Sequence, residues 1–469
     1  MESSSDILMT RYGGIIPIIK EIMKRGIPEL IDSSLAEIKP RKHNSKYKFS
    51  DMFLSWIAAA LCGATRIDNI TDLKKDLRVI PGLNVPSHDT MGRMMKLLSS
   101  EIMVQNRKMN HQANDNFYDE NYTLNRLLVK STKSMGILNE TNEYILDVDC
   151  TFIETRCTGA MSMKGKDAPG FYPMICLIGE LPVFISMRNG NSNADFRIME
   201  TVEACLDLLD EAGIKIKKVR TDGAGYRKDL LEMLEKRNVK FITASPVNNS
   251  HKKMHKEFET AIWKDIIFET ANAYKKCQIG EIAYNMHEVE TPFRIIALRV
   301  STEQKLIEQL DEDEVQQREL IQKKMAELND KGLLKRNNKK YISTTWNSIE
   351  GFKYKMIATN DFETDAEELF YLYNQRGEAE RQFNFLKKDF GWSYPPFMWM
   401  NENTVFFILT ALANNVFRAV ALLFNEHINK LELNARVRRF QKAFIDIIAS
   451  YTNGQWTYRN TKIDFEKIV

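Results

Sequence analysis

At Glu143 the hydrophobic period of this 469-residue chain changes, and that change constrains the fold more than any single motif. Before it, stretches such as Ile15–Met23 and Met52–Leu61 cluster apolar residues in a way that suits helices. After it, Tyr144-Ile-Leu-Asp-Val-Asp149 alternates, so Asp147 and Asp149 share one face of a predicted strand while Leu146 and Val148 share the other. Apolar runs at Phe171–Ile178 and Pro182–Met187 predict adjacent strands. Ile198–Ala212 reads as a helix, Ile214–Asp222 as a strand ending in a turn, Arg227–Arg237 as a helix and Val239–Ala244 as a short strand. Strands alternating with helices make a mixed α/β core.

The remaining segments arrange themselves around that core. Residues 1–138 read as a helical domain. In it, Ser87 is placed to cap a helix whose Thr90, Arg93 and Lys96 recur every third residue, which suits a DNA-reading helix or a plain amphipathic one. Residues 139–246 hold the first part of the core, and 247–350 read as a β-rich insertion. The insertion carries a strand at Phe293–Val300 and a charged helix at Glu303–Lys331. Residues 351–425 resume the core from a strand at Tyr354–Thr359, and 426–469 form a basic C-terminal tail.

Composition narrows the chemistry. With 43% hydrophobic residues the chain can bury a core of two or three domains, and a net charge of +3 permits nucleic-acid binding without demanding it. Basic residues cluster at Lys39–Lys48, at Lys335–Lys340 and at Arg436, Arg438, Arg439 and Lys442. Six cysteines without a C-x-x-C pair suit free thiols in a reducing, cytoplasmic setting. His251 and His255 are spaced for a helix face but lack the Glu of a zinc-protease motif, so no zinc site is expected. The polar N-terminus does not read as a signal peptide. Thr404–Phe424 is apolar but broken by Asn414, Asn415 and Arg418, which predicts a buried core helix and no membrane span. Gly159–Lys166 lacks the spacing of a phosphate loop, so ATP use is not indicated.

A run from Asp365 to Lys387 places Tyr373, Arg376, Glu380 and Lys387 at offsets of 0, 3, 7 and 14. On one continuous helix these side chains fall within an arc of about 60° along roughly 20 Å. Such a face offers phosphate-gripping cations beside a carboxylate. Two further acids, Asp149 and Asp222, stand at predicted strand ends, with Asp147 a rival to Asp149 on the same face. Three carboxylates brought together suit a pair of divalent cations, magnesium or manganese, and in-line phosphoryl transfer.

In this order (strand Asp, strand Asp-Gly, β-rich insertion, then Tyr-x2-Arg-x3-Glu-x6-Lys) the chain resembles the DDE transposases of bacterial insertion sequences, in the group bearing that signature. Tyr373, Arg376, Glu380 and Lys387 meet the signature without departure. Asp149-Cys-Thr151 and Asp222-Gly-Ala-Gly-Tyr226 match the surroundings of the first two acids, and Ser87–Arg93 resembles the N-terminal region of the group.

The resemblance implies an RNase H-like core, with Asp149, Asp222 and Glu380 as the metal-binding catalytic triad and Mg2+ or Mn2+ as cofactor. Water attack at the element end, strand transfer to target DNA and, in cut-and-paste members, a hairpin intermediate would follow. Tyr373, Arg376 and Lys387 would hold DNA phosphates near a flipped base, and Trp263 or Trp346 of the insertion would stack on that base. Arg93 and the tail residues Arg438 and Arg439 would contact double-stranded terminal inverted repeats, with a dimer in the synaptic complex. Gly377 follows Arg376, so no aromatic stands there to assist the hairpin step. A nucleoid-associated bacterial protein is implied. A catalytically inactive DNA-binding relative and a nuclease without strand transfer are the alternative readings.

Overall fold

A computed structural model describes residues 8–36, 45–109, 112–163, 165, 167–245, 258–269, 274–286, 289, 291–301, 316, 323, 347–349, 352–425, 436–459, 461–465 and 468. The chain opens with strand β1 (Leu8–Thr10) and helices α1 (Ile15–Lys24), α2 (Ile27–Ala36), α3 (Phe49–Leu61), α4 (Ile70–Leu77) and α5 (His88–Leu97). Ser87 caps α5 as expected, its Oγ accepting the Thr90 amide at 3.3 Å.

The segment read as wholly helical then turns into strands β2 (Met103–Met109) and β3 (Gln112–Asp119) before α6 (Tyr122–Ser134). These strands exist through pairing: β3 meets a distant partner at Tyr118↔Arg188 and Asp119↔Met187, a register that local sequence does not display.

The core follows the predicted alternation. Strand β4 (Glu143–Cys150) leads into a small sheet of β5 (Ile153–Glu154), β6 (Met161–Ser162) and β7 (Pro169–Phe171). Strands β8 (Met174–Ile178) and β9 (Leu181–Arg188) come next, then α7 (Ile198–Glu211), β10 (Lys215–Thr221), α8 (Lys228–Lys236) and β11 (Lys240–Ala244). Between β11 and β16 (Phe352–Thr359) lie β12 (Lys264–Glu269), β13 (Tyr274–Tyr284), β14 (Phe293–Ser301) and β15 (Asn347–Ile349). The charged segment 303–331 falls almost wholly outside the described residues.

Described strands join in a 12-stranded mixed sheet ordered β12-β13-β14-β16-β11-β10-β4-β8-β9-β3-β2, with β15 on β16. At its centre β4, β10 and β11 run parallel, joined by the helical crossovers α7 and α8, while β8 and β9 return antiparallel. Helices cover both faces. Leu146 and Val148 of β4 pack with Val202 and Leu209 of α7 and Leu230 of α8. Ile145, on the other face, packs with Ile242 and Ile357 beneath Leu369 and Phe370 of α9 (Ala366–Asn374).

After α9 come a 3-10 turn at Gln375–Gly377, α10 (Glu378–Asp389) and the long α11 (Met400–Leu423). Helix α11 is apolar and long enough to cross a membrane, yet nearly all of it is buried inside the protein. The N-terminal helices pack around it: the Trp56 ring lies 5.4 Å from that of Phe406, and Trp56 Nε1 donates to Thr410 Oγ1 at 3.3 Å. Its buried asparagines are paired, Asn415 Nδ2 donating to the Pro182 carbonyl and to Thr132 Oγ1, both at 2.8 Å.

The tail is more than a basic extension. After a short helix α12 (Val437–Phe440), strands β17 (Ile448–Thr452) and β18 (Gln455–Arg459) form a hairpin that pairs with β1. Asn453 and Gly454 turn that hairpin at φ of 52° and 85°, the left-handed pair such a tight turn requires.

Candidate active site

Parallel pairing of β4 with β10 brings the two strand-end acids together. The last rung in register is Thr221↔Val148, so Asp149 and Asp222 each stand one residue beyond it on neighbouring strands. Adjacent strands lie about 4.8 Å apart. Asp222 ends its strand by capping a 3-10 turn, its Oδ1 accepting the Ala224 amide at 2.9 Å. Gly225 is required in that turn, since a Cβ there would lie 1.9 Å from Thr221 Oγ1.

Asp147 and Asp149, the two rivals on one strand face, sit in different surroundings. Asp147 is buried and grips Arg220 with both oxygens, at 2.6 and 2.7 Å. Arg220 also donates to the Leu372 carbonyl of α9. That carboxylate is consumed by structure. Asp149, nearer the edge, accepts its neighbour Cys150's amide on Oδ1 and Arg376 Nη1 on Oδ2, both at 2.8 Å. Burial raises the Asp149 carboxyl to about 6, and the charges of Asp222 and Glu380 push the same way, against the attraction of Arg376.

The tetrad does not ride one uninterrupted helix. The chain leaves α9 at Asn374, passes through the 3-10 turn and re-enters helix at Glu378, with Gly377 as N-cap. Glycine has the lowest helix propensity after proline, and its Cβ position faces open space, so no packing opposes the break. The four side chains are accordingly deployed separately. Tyr373 is buried and hydrogen-bonded to Arg376. Arg376 turns onto Asp149, Glu380 is exposed on α10, and Lys387 Nζ donates to the Phe152 carbonyl at 2.8 Å.

Two networks hold these helices in place. Asp361, fully buried, accepts Lys218 at 2.6 Å, Lys240 at 3.0 Å and Thr364 Oγ1 at 2.7 Å, fixing the entry to α9 against β10 and β11. The Gln382 amide of α10 donates to Asn414 of α11 at 3.2 Å, and Asp389 at the end of α10 pairs with Arg436 at 2.6 Å.

The aromatic candidates fare differently. Trp263 packs its ring against Gly280 and Phe258 and under the Arg299 guanidinium, 3.8 Å from its centroid, on the α7–α8 side of the sheet. Tyr373 belongs to the cluster on the other side of the sheet. Trp346 and the pair His251 and His255 lie outside the described residues.

Arg93 lines a groove of about 910 Å³ together with Arg66, Lys96, Glu154 and the loop Ser393–Phe397 that follows α10. Arg438 and Arg439 are exposed on α12, tethered near the end of α10 through Arg436. Arg66 and Tyr394 line the same groove and belong to no motif singled out in the sequence.

Two carboxylates at neighbouring strand ends and a third on helix α10 are the kind of donors that a hard divalent cation takes. Among the described residues no three acidic, His or Cys side chains converge closely enough to hold an ion as they stand, and Arg376 is the cation that faces Asp149. The donor chemistry of the three carboxylates fits a hard divalent cation.

Comparison with known proteins bears on this geometry. No curated protein matches the chain. The cryo-EM structure of a piggyBac transposase synaptic complex with hairpin DNA aligns with 94% of this chain and 82% of that one, at 10% identity and a TM-score of 0.42, a likeness too low to carry an argument. The family described as transposase DDE domain group 1 matches residues 9–309, a span that includes Asp149 and Asp222 and stops before Glu380. That match covers more than half of the chain, and with the two acids on adjacent parallel strand ends it settles the family: the chain belongs to the DDE-domain transposases of group 1.

Proposed function

We propose that this transposase cuts the ends of an insertion sequence and joins them to target DNA by phosphoryl transfer at Asp149, Asp222 and Glu380. One observation carries the reading: two acids, Asp149 and Asp222, end neighbouring parallel strands. The strand order β9-β8-β4-β10-β11, with the last three parallel, supports an RNase H-like core. When bound, magnesium or manganese would supply Lewis acidity and an activated water to the three carboxylates.

The chain's own residues supply recognition and placement. Arg376 offers a planar fork that fits a backbone phosphate, so a DNA strand entering the site competes with Asp149 for it. Lys387 adds a point charge beside the loop after β4. Arg93 in the groove beyond α10, with Arg438 and Arg439 on α12, would contact phosphates of the double-stranded terminal repeat. Synapsis of two ends calls for a dimer on DNA.

A labelled element end, taken from the flanks of this reading frame and incubated with Mg2+ or Mn2+ against an EDTA control, tests the proposal. Metal-dependent nicking at the boundary followed by joining to plasmid is expected. Tight binding without cutting would instead make the chain an inactive DNA-binding relative, and cutting without joining would make it a nuclease.

A further inference from the structure

Lys355, on β16, lies outside the Tyr373–Lys387 signature and on the side of the sheet that α9 covers. Its neighbours in sequence, Tyr354 and Met356, face the α7–α8 layer, so Lys355 faces α9. There its ammonium donates to Asn374 Oδ1 at 2.8 Å and lies 5.4 Å from the Tyr373 ring centroid and 5.8 Å from that of Phe370. Among the described residues no carboxylate pairs with it. A largely covered ammonium without an acid is costly unless something else balances it. Two things do: the aromatic faces, and the negative end of the α9 dipole, which terminates at Asn374.

Asn374 is also where the chain leaves α9 for the turn that carries Arg376. Two residues beyond it, the Arg376 guanidinium meets Asp149 at 2.8 Å. We propose that Lys355 is a positioning residue for the transposase reaction: its ammonium closes the end of α9 and keeps the Arg376 guanidinium turned toward Asp149. The inference rests on the catalytic reading above. Burial pushes the Lys355 ammonium down to about 8, and the Arg376 charge pushes the same way.

The test compares Lys355→Met, which keeps the length and removes the charge, with Lys355→Arg, which restores a cation. Single-turnover cleavage of the element end at saturating DNA and end-DNA affinity are measured for both. For Lys355→Met the rate at saturation falls about tenfold or more while Kd stays within about twofold, and Lys355→Arg recovers most of the loss. Asn374→Ala, which removes only the acceptor, lowers the rate in the same direction and guards against a folding failure in Lys355→Met.

A wild-type rate for Lys355→Met overturns the proposal. So does a loss confined to Kd, which would make Lys355 a phosphate contact. A measurement independent of cutting separates this inference from the functional reading. In the DNA-free protein the melting shifts of Lys355→Met and Arg376→Gln are non-additive if the two cations act on one another, and additive shifts overturn the proposal even where the wild type cleaves.

Discussion

Three acids lie on one face of strand β4, each paired with a cation, and their fates diverge with their place along it. Glu143, at the start, meets Lys217 at 3.1 Å with 52% of its side chain exposed. Asp147, in the middle, is 4% exposed and doubly bonded to Arg220. Asp149, near the end, is 13% exposed and singly bonded to Arg376, with two more acids acting on it. Geometry alone would call all three salt bridges. Water screens the first to near irrelevance, the second is a structural tie, and the third is a carboxylate held by a removable cation in a field of like charge. A charge pair signals function where it is buried enough to matter and too crowded with like charges to be there for stability.

The comparison can be broken from its strongest end downward. Asp149→Asn should lower end cleavage on the order of 10³-fold in single-turnover assays while leaving a folded chain that binds end DNA. Cleavage within tenfold of wild type would move the first acid elsewhere. Asp147→Ala should cost about 3–5 kcal/mol in urea unfolding, because Arg220 is left buried without its acid. If that variant were as stable as wild type yet inactive, the two aspartates would have exchanged roles.

A pH series sharpens the contrast. The folded Asp149 carboxyl, at about 6 against an ordinary 3.8, holds its proton more tightly than the unfolded one. Its contribution to stability is therefore present below about pH 4 and lost as pH rises through 6, on the order of 2–3 kcal/mol for the metal-free chain. Denaturant unfolding at several pH values should show that decline, and Asp149→Asn should flatten it. A decline that persists in the variant belongs to other groups. Smallest of all, Lys217→Ala should shift stability by under about 1 kcal/mol, since both partners at that end of the strand face solvent.

Much of the core was legible because β4, β9, β10 and α7 carry their period locally, and because Asp222-Gly223 announces a strand running into a turn. The acids could be proposed from residue type at strand ends. What could not be read was their pairing: nothing in the sequence says that Asp147 meets Arg220, 73 residues away. The break at Gly377 had a visible signal in the glycine, overridden by the match of four side chains to a helical face. The hairpin at Ile448–Arg459 also had one, Asn453-Gly454 between alternating residues, hidden within a segment read for its charge. Strands β2 and β3 carry polar sequences and depend on β9 for existence, so only tertiary pairing reveals them.

The seam between β1 and β17 has a consequence for synthesis. Leu8 is among the first described residues to leave the ribosome, and its partner Tyr451 is among the last. The shelter that α11 gives to Trp56 likewise arrives only after Met400 has been made. At roughly 5–20 residues per second, the apolar faces of the first helices wait tens of seconds for the segments that cover them. Chains broken off before that point keep their greasy surfaces open, so a truncated translation product of this gene is a substrate for chaperones and proteases before it can be a competitor for DNA.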